Sequence, residues 1–247
     1  MAIKKILISQ RAPLNDAPYV ALKEKYGVDI TFKQFFLIEP LSSREFRVQR
    51  INILDYTAII FSSRHTIDAF YGLCEELRVK VPETMKYFCT TEAVAMYLQK
   101  HIVYRKRKIF YGNGTPDSII EQIGSKHKGE KFLVTQSDSS NSSPLTNLME
   151  AHKLDYKTAV FVKSVPQDLK GLNLTDYDMI VFYNPYDIKS LYENFPEFQQ
   201  GDIKFVAYGK SIVKAMEEAG LKIEIQAPTP EAPSVAKAIE LYLEAHK

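Results

Sequence analysis

Six short runs hold the residues best suited to chemistry. They are Ser62-Ser63-Arg64-His65, Thr90-Thr91-Glu92, Gly112-Asn113-Gly114-Thr115, Gln136-Ser137-Asp138-Ser139, Tyr183-Asn184 and Tyr208-Gly209-Lys210-Ser211. Each follows a short apolar, β-branched segment, and most lead directly into a segment of helical period. In parallel α/β sheets, ligands bind beyond the carboxyl ends of the strands, which is where these runs fall. They are rich in hydroxyls and glycine and poor in paired acids. At helix N-termini such residues offer backbone N–H donors that suit anionic ligands. The same hydroxyls also cap the helices they precede. Thr115-Pro116 and Ser143-Pro144 carry the N-cap-then-proline pattern.

Several familiar catalytic devices are missing. Tyr111-Gly112-Asn113-Gly114-Thr115 has neither a G-x-G-x-x-G turn nor the Lys-Ser/Thr of a P-loop. There is no G-x-S-x-G elbow. The five His show no metal-ligand spacing, and His65 reads as a polar residue at a helix start. Arg105-Lys106-Arg107-Lys108 reads first as a solvated loop before a strand, and second as an attractor for an anionic ligand. With no nucleophile, acid–base pair or metal site on view, an enzyme of this sequence would act by binding and orienting a reactive substrate.

The elements that position these runs are legible from periodicity. The predicted strands are Ile6–Ser9, Asp29–Lys33, Ala58–Phe61, Lys86–Cys89, Lys108–Tyr111, Phe132–Thr135, Thr158–Val162, Met179–Phe182, Lys204–Ala207 and Ile223–Gln226. Between them lie helical faces such as Ile67, Phe70, Cys74 and Leu77, then Ile212, Met216 and Ala219, then Val235, Ile239 and Tyr242. Near-continuous apolar strands alternating with helices predict parallel sheets covered on both faces.

Composition bounds the rest. The chain has 247 residues, 45% of them hydrophobic and 25% charged, enough for a real core without disulfides or a structural metal. With 32 Lys+Arg against 30 Asp+Glu, the near-balance argues against a nucleic-acid binder. Cys74 and Cys89 form no C-x-x-C pair and suit a reducing compartment. The apolar run in MAIKKILISQRAP stops after Ile8, too short for a signal core, and no run approaches a membrane span. The expectation is a cytoplasmic protein.

An internal repeat is the most informative pattern. KILISQ from Lys5 matches KFLVTQ from Lys131 at an offset of 126, where Glu24 also meets Glu150 and Asp29 meets Asp155. DYTAIIF from Asp55 matches DYDMIVF from Asp176 at 121, MKYFCT from Met85 matches IKFVAY from Ile203 at 118, and GTPD matches PTPE at 114. The offsets shrink in order, as loop deletions would produce. Two copies of one α/β unit follow. Pro40 to Asn52 and Ser164 to Leu174 are polar stretches at equivalent places and read as crossings. The pattern alone leaves open whether the copies are in tandem or exchange halves there.

On DYTAIIFSSRHTIDAF, AVFVKSV, DYDMIVFYNP, FVAYGKSIVKAMEEAG and APTPEAPS, in this order and repetition, the chain resembles the uroporphyrinogen-III synthase family over essentially its whole length. The resemblance implies two similar doubly wound α/β domains joined by a two-stranded connection, with an active-site cleft between them. It assigns roughly residues 1–36 with 166–247 to the first domain and 40–163 to the second. It implies a cyclising hydro-lyase, without metal or organic cofactor, that closes hydroxymethylbilane while inverting its last pyrrole ring. It also implies a monomer acting on a small molecule, with neither nucleic acid nor membrane as partner.

The resemblance carries over Ser62, Ser63, Gly209 and Ser211 as binding positions. The wider candidate set for binding is Ser62, Ser63, Arg64, Thr90, Thr91, Gly112, Asn113, Gly114, Ser137, Tyr183, Asn184, Tyr208, Gly209, Lys210 and Ser211. Tyr183, Tyr208 and Ser63 are the candidates for catalysis. Three positions depart from the family pattern. Val162 stands where the return strand usually carries a Tyr, Tyr183-Asn184 where Thr/Ser-Ser is usual, and Ile212 where a Thr follows the glycine turn. These departures favour a second reading: a synthase-like protein that binds a tetrapyrrole or another anion without turnover.

Overall fold

The structure, a computed structural model, describes residues 3–138 and 143–246. The predicted Ser139 tip position and the side chain of Ser143 lie outside the described residues. The chain divides into two compact units, Met1–Leu37 with Val165–Lys247, and Ile38–Ser164.

Unit 1 holds strands β1 (Lys5–Ile8) and β2 (Asp29–Phe32), joined by helix α1 (Ala17–Tyr26). The chain leaves it in β3 (Phe36–Pro40). Unit 2 then runs α2 (Ser43–Arg47), β4 (Ala58–Phe61), α3 (Arg64–Glu76), β5 (Lys86–Cys89), α4 (Glu92–Tyr97), β6 (Ile109–Tyr111), α5 (Pro116–Ile123), β7 (Lys131–Ser137), α6 (Ser143–Ala151) and β8 (Asp155–Pro166). The chain returns to unit 1 for β9 (Met179–Phe182), α7 (Pro185–Asn194), β10 (Lys204–Tyr208), α8 (Lys210–Glu218), β11 (Ile223–Ala227) and α9 (Val235–Ala245).

The sheet orders are β2-β1-β9-β10-β11 in unit 1 and β3-β8-β7-β4-β5-β6 in unit 2. Every pair within unit 1 is parallel, as is every pair from β8 to β6. The repeat offsets map β1 onto β7, β2 onto β8, β9 onto β4, β10 onto β5 and β11 onto β6. Under that mapping the two sheets have one order, with β3 added at the edge of unit 2.

Burial explains the composition of the strands. AIIF in β4 and MIVF in β9 are buried at every position. Successive residues feed opposite cores: Ile59 and Phe61 pack on one face of their sheet, Ala58 and Ile60 on the other. In unit 1, Leu7, Ile180 and Phe182 serve one face, and Ile6, Ile8, Met179 and Val181 the other. The helices match in part: Ile67, Phe70 and Cys74 are buried from α3, Ile212 and Met216 from α8, Val235 and Ile239 from α9, whereas Leu77 and Tyr242 are half-buried and Ala219, the C-cap of α8, is exposed.

All ten predicted strands are present, several longer than expected; β8 begins at Asp155 and continues to Pro166. β3 is additional. Its five residues show no alternation and end in proline, so periodicity does not mark it. The polar stretch after it holds α2, whose Ser42 and Glu45 form a capping box.

Phe182 lies at the centre of the unit 1 core, fully buried between Phe35 at 5.9 Å and Phe205 at 5.1 Å. Phe182→Ala is expected to lower unfolding free energy by about 3–5 kcal/mol, measured by urea denaturation.

Candidate functional site

Parallel strands bring the predicted positions of each unit to the carboxyl edge of its sheet. In unit 2, Ser62 and Ser63 follow β4, Thr90 and Thr91 follow β5, Gly112 to Gly114 follow β6, and Ser137 ends β7. Hydrogen bonds join them into one rim. Thr90 Oγ1 donates to the Ser62 carbonyl at 3.2 Å, Gly114 N–H to the Thr90 carbonyl at 2.8 Å, and Gly112 N–H to the Cys89 carbonyl at 3.0 Å. Gly112 has no room for a side chain, because a Cβ there would lie 2.2 Å from Ser118 Oγ. That hydroxyl already accepts from Asn113 N–H and donates to the Thr115 carbonyl.

Much of the hydroxyl chemistry on this rim is structural. Ser63 accepts from Thr66 N–H in a capping box, Thr91 caps α4 and Thr115 caps α5. Ser62 is exposed, with Oγ 3.5 Å from the Thr135 carbonyl. Arg64 lies over the Tyr97 ring at 5.4 Å, and Tyr97 donates to Asp68. The Arg105–Lys108 run sits before β6, at the amino end of that strand. There Arg105 pairs with Glu83 at 3.6 Å and Lys108 Nζ donates to the Glu83 carbonyl. It is at the opposite end of β6 from Gly112.

In unit 1, Tyr183 and Asn184 follow β9, and Gly209, Lys210 and Ser211 follow Tyr208 at the end of β10. Gly209 has φ 111° and ψ 154°, a conformation essentially reserved for glycine. Tyr183 and Tyr208 pack with ring centroids 5.3 Å apart. The Tyr208 hydroxyl donates to the Pro233 carbonyl at 3.0 Å. Burial, then the neighbouring Tyr19, pushes the Tyr183 phenol well above its ordinary range, so it keeps its proton. Lys210 and Ser211 are exposed on the first turn of α8.

Beneath this rim lies a group that the six runs did not include. Asp187 is 1% exposed. Its Oδ2 accepts from Ser9 Oγ at 2.7 Å, Tyr183 N–H at 2.9 Å and Asn184 N–H at 3.1 Å. Its Oδ1 is buried with no hydrogen-bond partner among the described residues. Desolvation outweighs the three donors and lifts the carboxyl from 3.8 to about 6. Ser9, Gln10, Arg11, Gln34, Phe36, Tyr183, Asn184 and Asp187 line a pocket of about 330 Å³. The repeat holds the missed signal: an offset of 126 carries Arg11 onto Ser137, and 121 carries Asp187 onto Thr66.

The departures from the family pattern have structural roles. Val162 is 3% exposed and Ile212 fully buried, each within its own core. Asn184 caps α7 and completes a capping box with Asp187. Among the described residues no His, Cys, Asp or Glu side chains group to hold a metal ion, and no helix is long and apolar enough to cross a membrane. Burial pushes the Cys74 and Cys89 thiols up to about 12.

Two doubly wound parallel-sheet units of one strand order, each with a polar rim at its carboxyl edge, define a duplicated α/β protein. The model of one family, uroporphyrinogen-III synthase HemD, matches residues 17–237, and the chain belongs to that family. Its fold is similar to that of the uroporphyrinogen-III synthetase from Helicobacter pylori, with a TM-score of 0.58, 17% identity and coverage of 98% of this chain and 100% of that one. It is also similar to a mutant uroporphyrinogen III synthase from the extremely thermophilic bacterium Thermus thermophilus, with a TM-score of 0.57, 15% identity and 98% coverage of both chains. None of the curated proteins matches the chain.

Asp187 makes a pH prediction. Its folded state holds the proton up to about pH 6, whereas the unfolded chain releases it near 3.8. Its contribution to stability is therefore complete below the lower value and is lost as pH rises through the upper one. The stability of the wild type minus that of Asp187→Asn should fall by on the order of 2–3 kcal/mol between pH 3 and pH 7, read by chemical denaturation. A difference that stays constant across that window contradicts the assignment.

Proposed function

We propose that the chain is a uroporphyrinogen-III synthase: it cyclises hydroxymethylbilane with inversion of the last pyrrole ring and loss of water. The family match across residues 17–237, which takes in both rims, carries this reading. Loss of the hydroxymethyl oxygen as water leaves a reactive azafulvenium on the first ring. The last ring attacks through its substituted carbon to give a spiro intermediate, which fragments and recloses. The protein must help the hydroxyl leave, hold the ends of the chain together and exclude uninverted closure.

In this reading Tyr183 is the hydrogen-bond donor to the departing hydroxyl. Its phenol keeps its proton throughout the neutral range and would exchange its hydrogen bond with Tyr19 for one to the substrate, and its backbone N–H is fixed by Asp187. Tyr208 supports the ring of Tyr183, since its own hydroxyl is engaged by Pro233. Within unit 2, Ser62 and Asn113 and the N-termini of α3 and α5 are donors of the kind that acidic arms take. The action takes place without metal or organic cofactor, on a monomer in the cytoplasm.

Burial of Val162 and Ile212 favours a second reading, in which the chain binds a tetrapyrrole and does not turn it over. Coupling hydroxymethylbilane synthesis to the protein and resolving the product isomers separates the two. The synthase reading expects isomer III above the spontaneous background; isomer I alone, at the spontaneous rate, leaves only the binding reading. Tyr183→Phe should lower kcat by about 10²-fold with little change in thermal stability, and a variant of unchanged kcat removes Tyr183 from the mechanism.

A further inference from the structure

We propose that Arg11 and Gln34 form a carboxylate-binding subsite in unit 1, taking one acidic arm of the ligand. Arg11 Nε donates to Gln34 Oε1 at 2.7 Å, which fixes the plane of the guanidinium. That bond leaves the two terminal nitrogens, and among the described residues Arg11 makes no ion pair with an acid. Arg11 and Gln34 both line the 330 Å³ pocket, as does Asn184. A planar fork held by one carboxamide, with its outer edge open, matches a carboxylate through two parallel N–H···O bonds.

The pocket floor keeps this arrangement in register. Asp187 ties the end of β1, through Ser9, to the turn that carries Tyr183 and Asn184. Arg11 lies two residues beyond Ser9, and Gln34 two residues beyond the end of the neighbouring strand β2. Asp187 also lines the pocket but is 1% exposed, with Oδ2 held by three donors, and Arg11 and Gln34 are the more accessible groups. The binding candidates read from the sequence include Arg64 and Lys210 but not Arg11, and this subsite adds a positive charge just beyond β1.

The inference rests on the carboxylate-rich substrate proposed above, and its test separates the two. Binding of uroporphyrin III, an octacarboxylate macrocycle that needs no turnover, is followed by fluorescence titration at fixed pH and ionic strength. Arg11→Gln is expected to raise its Kd roughly 10- to 100-fold. Arg11→Lys should recover only part of the loss, because a point charge cannot reproduce the fork. In the isomer assay, the KM of Arg11→Gln should rise by a similar factor while kcat changes little. Circular dichroism melts check that both variants are folded. Glutarate at equal ionic strength should displace the macrocycle from the wild type more readily than from Arg11→Gln. Unchanged uroporphyrin affinity in Arg11→Gln overturns the carboxylate subsite. Absence of isomer III from the wild type removes the synthase reading and leaves the binding test standing.

Discussion

The parallel pairing of β1 with β9 is the constraint on which unit 1 depends. It sets Ile6 against Met179 and Ile8 against Val181, residues separated by the whole of unit 2 in sequence. β1 lies between β2 and β9, and Ile6, Leu7 and Ile8 are at most 1% exposed. They feed both faces of the sheet, so neither core of the unit closes without them. The same pairing sets the pocket. Ser9 N–H continues the ladder to the Val181 carbonyl, which brings its hydroxyl to Asp187 and fixes the turn that carries Tyr183.

One frame thus carries two chemistries. In unit 2 the equivalent positions are Ser63, Thr66 and Thr135, all hydroxyls, with Thr66 Oγ1 donating to the Ser63 carbonyl and Thr135 Oγ1 to the Ile60 carbonyl. In unit 1 they are Asn184, Asp187 and Ser9. A neutral hydroxyl is satisfied by one carbonyl, whereas a buried carboxylate needs donors from several directions. Asp187 finds three and leaves one oxygen without any, which makes its rim the electrostatically asymmetric one of the two. The duplication preserved the backbone and let the side chains diverge where the sheet edge meets the first helical turn.

How much of this was legible follows from where the signals lie. Strands such as AIIF and MIVF announce themselves because both faces are buried, and the rims follow from them because parallel strands all end on one side. β3 escaped because a short strand at the sheet edge needs no alternating pattern. Ser9 has the form of a strand's last residue and Arg11 carries no local signature at all. Asp187, three residues after a helix cap, has the form of an ordinary capping acid. Its burial, and its link to a serine 178 positions away, are tertiary facts. The repeat alone reached across that distance.

The order of synthesis gives the central place of β1 a further meaning. The first 37 residues emerge from the ribosome long before β9, β10 and β11 exist, while unit 2 is contiguous from Ile38 to Ser164 and can close as soon as it has been made. An apolar KILI segment therefore waits, without its central partner, through the translation of an entire unit. During that interval the apolar strand is of the kind that makes folding intermediates prone to association, until β9 arrives to pair with it.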